Sequence, residues 1–222
     1  MTDVDGTITD FRGRVEAVAA ESIRSLLGRG IMVGFVSGRT LPRLDAPALE
    51  LGIDGPIIAE NGGVARLRPG GELLDLGYSR LPALRDLDRL KALYPGAVRS
   101  SEDDVDRIVD VGCKSTGVDA VELAKHLRES ELLDSGYMLH LLQKGISKGG
   151  TLMRMLKYIG DGELSPDEVL VVGDSPTDMS LFEIFPHSVL VLNSRVPQTG
   201  RLKVEAVAQF VSDLEFGAGF SQ

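Results

Sequence analysis

The run Ile31-Met32-Val33-Gly34-Phe35-Val36 contains no residue that would turn toward water. A strand of this kind is buried on both faces, which is the environment of a parallel sheet sandwiched between helices. The residues before it supply a helix, because Val15, Val18, Ala19, Ile23, Leu26 and Leu27 recur at helical spacing and Gly28 and Gly30 stop them. A second helix is predicted over Leu41 to Leu51, ending at Gly52, and Pro56 to Glu60 reads as the next strand. The order is βαβαβ, the pattern of an open α/β sheet.

After Asn61-Gly62-Gly63 this alternation stops. Val64 to Leu67 and Glu72 to Leu76 flank Pro69-Gly70-Gly71, which predicts an antiparallel hairpin. Leu81 to Leu93 reads as helix, Arg107 to Val111 as extended, Ala120 to Arg128 as helix and Tyr137 to Leu142 as extended. From Lys148 the first pattern resumes, with a helix to about Ile159, the strand Val169-Leu170-Val171-Val172, and a further strand over Ser188 to Leu192. The expected organisation is a Rossmann-like α/β core from residues 1–62 and 144–222, interrupted by an α+β insertion over 63–143.

Composition removes several function classes. The 222 residues are 43% hydrophobic and 26% charged, as in an ordinary globular protein. No run approaches the roughly 20 apolar residues of a membrane span, and Met1-Thr2-Asp3 opens no apolar leader, so a cytoplasmic address is expected. The single cysteine, Cys113, forms no internal disulfide and reads as a packing residue. At a net charge of −9, without a dense basic cluster, nucleic acid is not an expected partner. An anionic substrate would need cations placed locally.

In open α/β sheets ligands collect at the C-terminal ends of strands. Four polar clusters fall there: Asp3-Val4-Asp5-Gly6-Thr7, Ser37-Gly38-Arg39, Lys148, and Gly173-Asp174-Ser175-Pro176-Thr177-Asp178. In an extended strand Asp3 and Asp5 point the same way, and Gly6 permits a sharp turn. Asp174 and Asp178 lie one turn apart if a helix starts near Pro176. Carboxylates about 4 Å apart repel by roughly 4 kcal/mol per pair at an effective dielectric of about 20, so gathering them implies a cation. Oxygen-only ligands suggest Mg2+. That ion and Lys148 would make an acidic pocket receptive to phosphate, while Ser37 and Gly38 offer a hydroxyl and backbone N–H groups to phosphate oxygens. Taken singly each cluster has an ordinary reading, as surface turn, helix cap or solvated lysine. Asn61 and His140 are put forward as substrate contacts against turn and packing roles, and Arg39, near a strand end like Asn61, is weighed in the same way, with a surface or turn role sufficient to explain it.

These four clusters, in this order, resemble the four motifs of the haloacid dehalogenase superfamily. The insertion between the second and third resembles the Cof-like, type-II-cap branch. Glu60-Asn61-Gly62-Gly63, Ser135-Gly136-Tyr137, His140-Leu141 and Phe210-Val211-Ser212-Asp213 are most similar to archaeal phosphoglycolate phosphatases. The resemblance implies a Mg2+-dependent phosphatase with Asp3 as nucleophile and Asp5 as general acid and base. Ser37, Gly38 and Lys148 would bind the phosphoryl group. Asp3, the Asp5 carbonyl oxygen and Asp174 would hold the metal, with Asp178 supporting the metal or Lys148. A small phosphorylated metabolite is the implied partner, 2-phosphoglycolate first and sugar phosphates next, for a monomer or homodimer.

Two features depart from the pattern. Only two residues precede Asp3 where the family carries several apolar ones, as a start set too late would produce, and Thr177 stands where relatives often have Asn. Two other readings compete. One is a phospho-acceptor signalling domain, against which Asp5 and the large insertion argue. The other is a non-catalytic regulatory protein of the same fold.

Overall fold

The computed structural model describes residues 1–136, 138–159, 162 and 164–222. The strands are β1 (Phe35–Val36), β2 (Ile57–Ala59), β3 (Val64–Arg66), β4 (Val98–Ser100), β5 (Val111–Ser115), β6 (Ser130–Asp134), β7 (Leu139–Gln143), β8 (Leu170–Gly173), β9 (His187–Leu192) and β10 (Phe210–Glu215). The helices are α1 (Ala17–Gly28), α2 (Leu41–Leu51), α3 (Leu81–Leu93), α4 (Ala120–Ala124), α5 (Lys148–Leu156), α6 (Met179–Ile184), α7 (Gln198–Glu205) and α8 (Phe216–Phe220). Residues 1–74 and 147–222 form one compact unit, and residues 75–146 form another. Among the described residues no helix is long and apolar enough to cross a membrane.

In the first unit β2 pairs parallel to β1 and antiparallel to β3, while β9 pairs parallel to both β8 and β10. The N-terminus joins these halves: Thr2 bridges in parallel to Phe35 on one side and Val172 on the other. Its N–H donates to the Gly34 carbonyl at 3.0 Å, and the Asp3 N–H to the Val172 carbonyl at 2.8 Å. The order is therefore β3-β2-β1, the Thr2 segment, then β8-β9-β10. Phe35, Ile57, Ile58, Val171, Leu190 and Val191 are fully buried, as apolar runs between helices must be. The fold is an α/β open sheet of Rossmann-like type.

The strand expected over Ile31 to Val36 is reduced to β1. Its pairing with β2 covers only Phe35 and Val36. Ile31 and Met32 are 49% and 52% exposed, and Leu170 is 51% exposed. A groove of about 1250 Å³ is lined by Met1, Met32, Gly34, Leu156 and Leu170 among others.

The second unit is a four-stranded sheet, order β4-β5-β7-β6, antiparallel throughout. Leu87 and Leu90 of α3 and Leu123 of α4 pack with Val111, Cys113 and Leu141 from the sheet to form its core. Cys113 is thus a packing residue, and burial pushes its thiol up to about 12. The unit starts later than the expected boundary near residue 62, because β3 is tied to β2 and belongs to the first unit. The expected hairpin survives as an Arg66–Leu73 bridge around the turn at Gly70. The strand expected over Arg107 to Val111 begins at Val111, and the helix expected to reach Arg128 ends at Ala124. Tyr137, expected to open a strand, lies outside the described residues.

Candidate active site

The parallel strands of the first unit aim their C-terminal ends at one place, and the turns there carry the polar side chains. Asp3 follows the Thr2 segment, Ser37 follows β1, and Asp174 follows β8. At Gly6 the chain leaves its strand with φ +83°, and a Cβ there would stand 2.4 Å from Asn193 Nδ2 and 2.6 Å from Asp174 Oδ2. Glycine is the residue that tolerates both the angle and the closeness. Lys148 opens α5, whose N-cap Ser147 accepts a bond from the Gly150 N–H. Gly149 lets α5 press against α6, since a Cβ there would fall 2.0 Å from the Ser180 carbonyl oxygen.

Lys148 is the centre of the cluster. Its Nζ donates to Asp3 Oδ1 at 2.7 Å and to Asp178 Oδ1 at 2.6 Å, with all three side chains almost wholly buried. The second oxygen of Asp178 accepts the backbone N–H groups of Asp174 and Ser175, each at 3.1 Å. Asp178 thereby fixes Lys148 and the loop after β8 together. Thr7 Oγ1 lies 3.5 Å from Asp3 Oδ2 and 3.3 Å from Asp174 Oδ1, and Asn193 Nδ2 donates to Asp174 Oδ2 at 2.6 Å. Asp3, Asp174 and Asp178 each present an oxygen, all within 4.8 Å of one another, so the three could hold a metal ion.

Burial pushes the Asp3 carboxyl up to about 7 against the pull of Lys148. Burial, then the charge of Asp3, raises Asp174 well above the ordinary carboxylate range. For Lys148 burial works against the charge, but Asp178 and Asp3 outweigh it and hold the ammonium above its usual value. Three buried carboxylates thus face one ammonium, an excess of negative charge that a divalent cation would neutralise. The donors are all oxygen, which suits a hard cation.

A family model described as haloacid dehalogenase-like hydrolase matches residues 1–76 and 99–212. The chain belongs to the haloacid dehalogenase-like hydrolases. The phosphoglycolate phosphatase of Methanoculleus marisnigri is 35% identical over 231 residues, covering 99% of this chain and 92% of that protein. The protein of the same name from Thermoplasma acidophilum is 30% identical, covering 99% and 93%. A crystal structure of a Thermoplasma acidophilum protein superposes with a TM-score of 0.85 at 28% identity, covering 100% and 93% of the two chains. The sucrose-phosphatase of Synechocystis, in complex with sucrose and phosphate, shares the fold with a TM-score of 0.74 at 18% identity, covering 98% and 92%.

In this hydrolase the other residues singled out by sequence are placed as follows. Ser37 is buried, and its Oγ accepts the Arg39 N–H at 3.2 Å. Gly38 lies against Asn61, so that a Cβ on it would meet Asn61 Oδ1 at 3.0 Å. Asn61 takes a left-handed φ of +56°, and its N–H donates to the Ser37 carbonyl at 3.0 Å, which ties the loop after β2 to the Ser37 turn. Thr177 Oγ1 stands 3.5 Å from Lys148 Nζ and 2.8 Å from Ser175 Oγ. His140 lies in the second unit, buried, with Nδ1 2.6 Å from Asp110 Oδ2, a carboxylate that also pairs with Arg107. Asp5 has both oxygens held by Arg39, a residue that sequence reading left on the surface. Asn193 was missed altogether. Its one legible signal is that it directly follows the apolar strand β9, at the same end of the sheet as Asp174.

Proposed function

We propose that this hydrolase is a Mg2+-dependent phosphatase that cleaves a small phosphomonoester, 2-phosphoglycolate first among them, through an aspartyl phosphate on Asp3. The observation that supports it best is the placement of Asp3, with one oxygen on Lys148 and the other at the Thr7 hydroxyl that Asp174 also meets. A carboxylate so placed is positioned for attack next to the charges that a phosphoryl group needs, and phosphoryl transfer depends mainly on positioning and charge.

Asp3 attacks phosphorus, and the bond from phosphorus to the substrate's alcohol oxygen breaks as Asp5 gives that oxygen a proton. Asp5, now a carboxylate, takes a proton from water, whose oxygen attacks the phosphorus on Asp3 and releases inorganic phosphate. Lys148 and Ser37 bind the non-bridging oxygens, Ser37 through its hydroxyl hydrogen and Lys148 through its ammonium. Asp3 and Asp174, with the Asp5 carbonyl oxygen, would hold Mg2+, which when bound supplies further positive charge at the phosphoryl group. Asp178 holds Lys148 through Oδ1 and, with an oxygen within 4.8 Å of those of Asp3 and Asp174, would support the ion as well.

The substrate assignment draws on the two archaeal relatives named phosphoglycolate phosphatase, and a cytoplasmic location on the single buried cysteine, which agrees with a reducing compartment. The test is release of phosphate from 2-phosphoglycolate, a set of sugar phosphates and p-nitrophenyl phosphate, with Mg2+ and with a chelator. Turnover is expected with Mg2+, highest on 2-phosphoglycolate, and Asp3→Asn is expected to lower it by ~10³-fold or more. An unimpaired Asp3→Asn protein would overturn the mechanism. Phosphate that stays on the protein instead of turning over would favour a phospho-acceptor.

A further inference from the structure

Asp5 is held unlike its neighbours. Asp3, Asp174 and Asp178 are buried and turned toward Lys148 or one another, but the Asp5 side chain is 39% exposed and both its oxygens meet a single partner. Arg39 Nε donates to Asp5 Oδ2 at 2.8 Å, and Arg39 Nη2 to Asp5 Oδ1 at 2.5 Å. This is the two-pronged arginine–carboxylate arrangement, which fixes the plane of the carboxylate as well as its position. A lysine ammonium could fix only the position.

The fork is itself anchored. Arg39 Nη2 also donates to the Gly13 carbonyl at 3.3 Å, in a turn that Asp10 closes by accepting the N–H groups of Arg12 and Arg14. Its backbone N–H is bonded to Ser37 Oγ, and its carbonyl accepts the Glu60 N–H at 2.9 Å. One residue thus ties the turn proposed to bind phosphate to the side chain proposed to move the proton. The Arg39 side chain is only 20% exposed, so this is not a loose surface pair.

We infer that Arg39 is the positioning residue for Asp5, setting the carboxyl where it can protonate the departing alcohol of a substrate bound at Ser37. The inference rests on the phosphatase reading. Its consequence is selective. A nitrophenolate leaves without much help from an acid, whereas an alkoxide does not, so misplacing Asp5 should slow the two kinds of substrate unequally. A role in folding alone would slow both alike.

The experiment measures kcat/KM, which covers the steps up to departure of the leaving group, for 2-phosphoglycolate and p-nitrophenyl phosphate with Mg2+. Wild type, Arg39→Met, Arg39→Lys, Asp5→Asn and the double variant Arg39→Met/Asp5→Asn are compared. Arg39→Met is expected to lose ~10²-fold or more on the alkyl phosphate and less than ~10-fold on the aryl phosphate, with Arg39→Lys between it and wild type. On the alkyl phosphate the double variant is expected to be no slower than Asp5→Asn, because Arg39 acts through Asp5. Equal losses on both substrates, additive losses in the double variant, or a faster Arg39→Met enzyme would overturn the assignment. If Arg39→Met does not fold, the same comparison rests on Arg39→Lys, whose loss must still be larger on the alkyl phosphate. Wild-type protein that hydrolyses neither substrate would instead refute the phosphatase reading.

Discussion

At Asp3 burial and charge pull in opposite directions, and the balance makes a prediction about pH. Burial raises its carboxyl from an ordinary 3.8 to about 7, and Asp174 is raised as well. A carboxyl whose folded pKa exceeds its unfolded value binds its proton more tightly in the folded protein. Its contribution to stability is therefore complete in acid, below the unfolded value, and is lost as pH rises through about 7. Mg2+ would replace the proton as the neutralising partner and would compete with it. Thermal melts with Mg2+ and with a chelator at about pH 5 and about pH 8 should show a larger gain from the ion at the higher pH. An equal gain at both would mean that these carboxyls are not where the ion binds. At this scale the sequence singled out Asp3, Ser37, Lys148 and Asp174, because each follows or opens an element with a clear pattern, and the structure brings Asp3, Lys148 and Asp174 together. The sequence did not show what Arg39 and Asn193 do, because their partners lie 34 and 19 residues away and no local pattern marks such a contact.

Among the elements, legibility followed position in the sheet. The helices α2 and α3 occupy the expected residues, since glycine or proline punctuates their ends: Gly52 caps α2 with φ +75°, and Pro82 lies in the first turn of α3. The strands β4, β6 and β10 escaped notice, and each is an edge strand. Edge strands have a neighbour on one side only and keep polar residues such as Arg99, Glu131 and Asp213, so neither a continuous apolar run nor a clean alternation announces them.

The whole molecule carries a net charge of −9, and the proposed reaction asks it to bind phosphate. On the proposed reading its local answer needs a metal, because among the described residues Lys148 is the one ammonium paired with this group of Asp3, Asp174 and Asp178, while the charge of Arg39 is committed to Asp5. A phosphate dianion approaching that cluster alone meets repulsion from its surroundings and from the chain as a whole. With Mg2+ held there the same cluster would be close to neutral and would attract the dianion. Binding of the two should therefore be strongly coupled, and thermodynamic linkage makes the coupling reciprocal. Calorimetric titration with inorganic phosphate is expected to give a Kd at least ~10-fold tighter with Mg2+ than with a chelator. Titration with Mg2+ should show the same factor when phosphate is saturating. Lys148→Met should weaken phosphate binding in the presence of Mg2+ while leaving Mg2+ bound, since it removes the ammonium and spares the oxygens of Asp3 and Asp174 that face Thr7. Phosphate affinity that is indifferent to Mg2+ would mean that other cations receive the anion, and the electrostatic account of this site would fail with it.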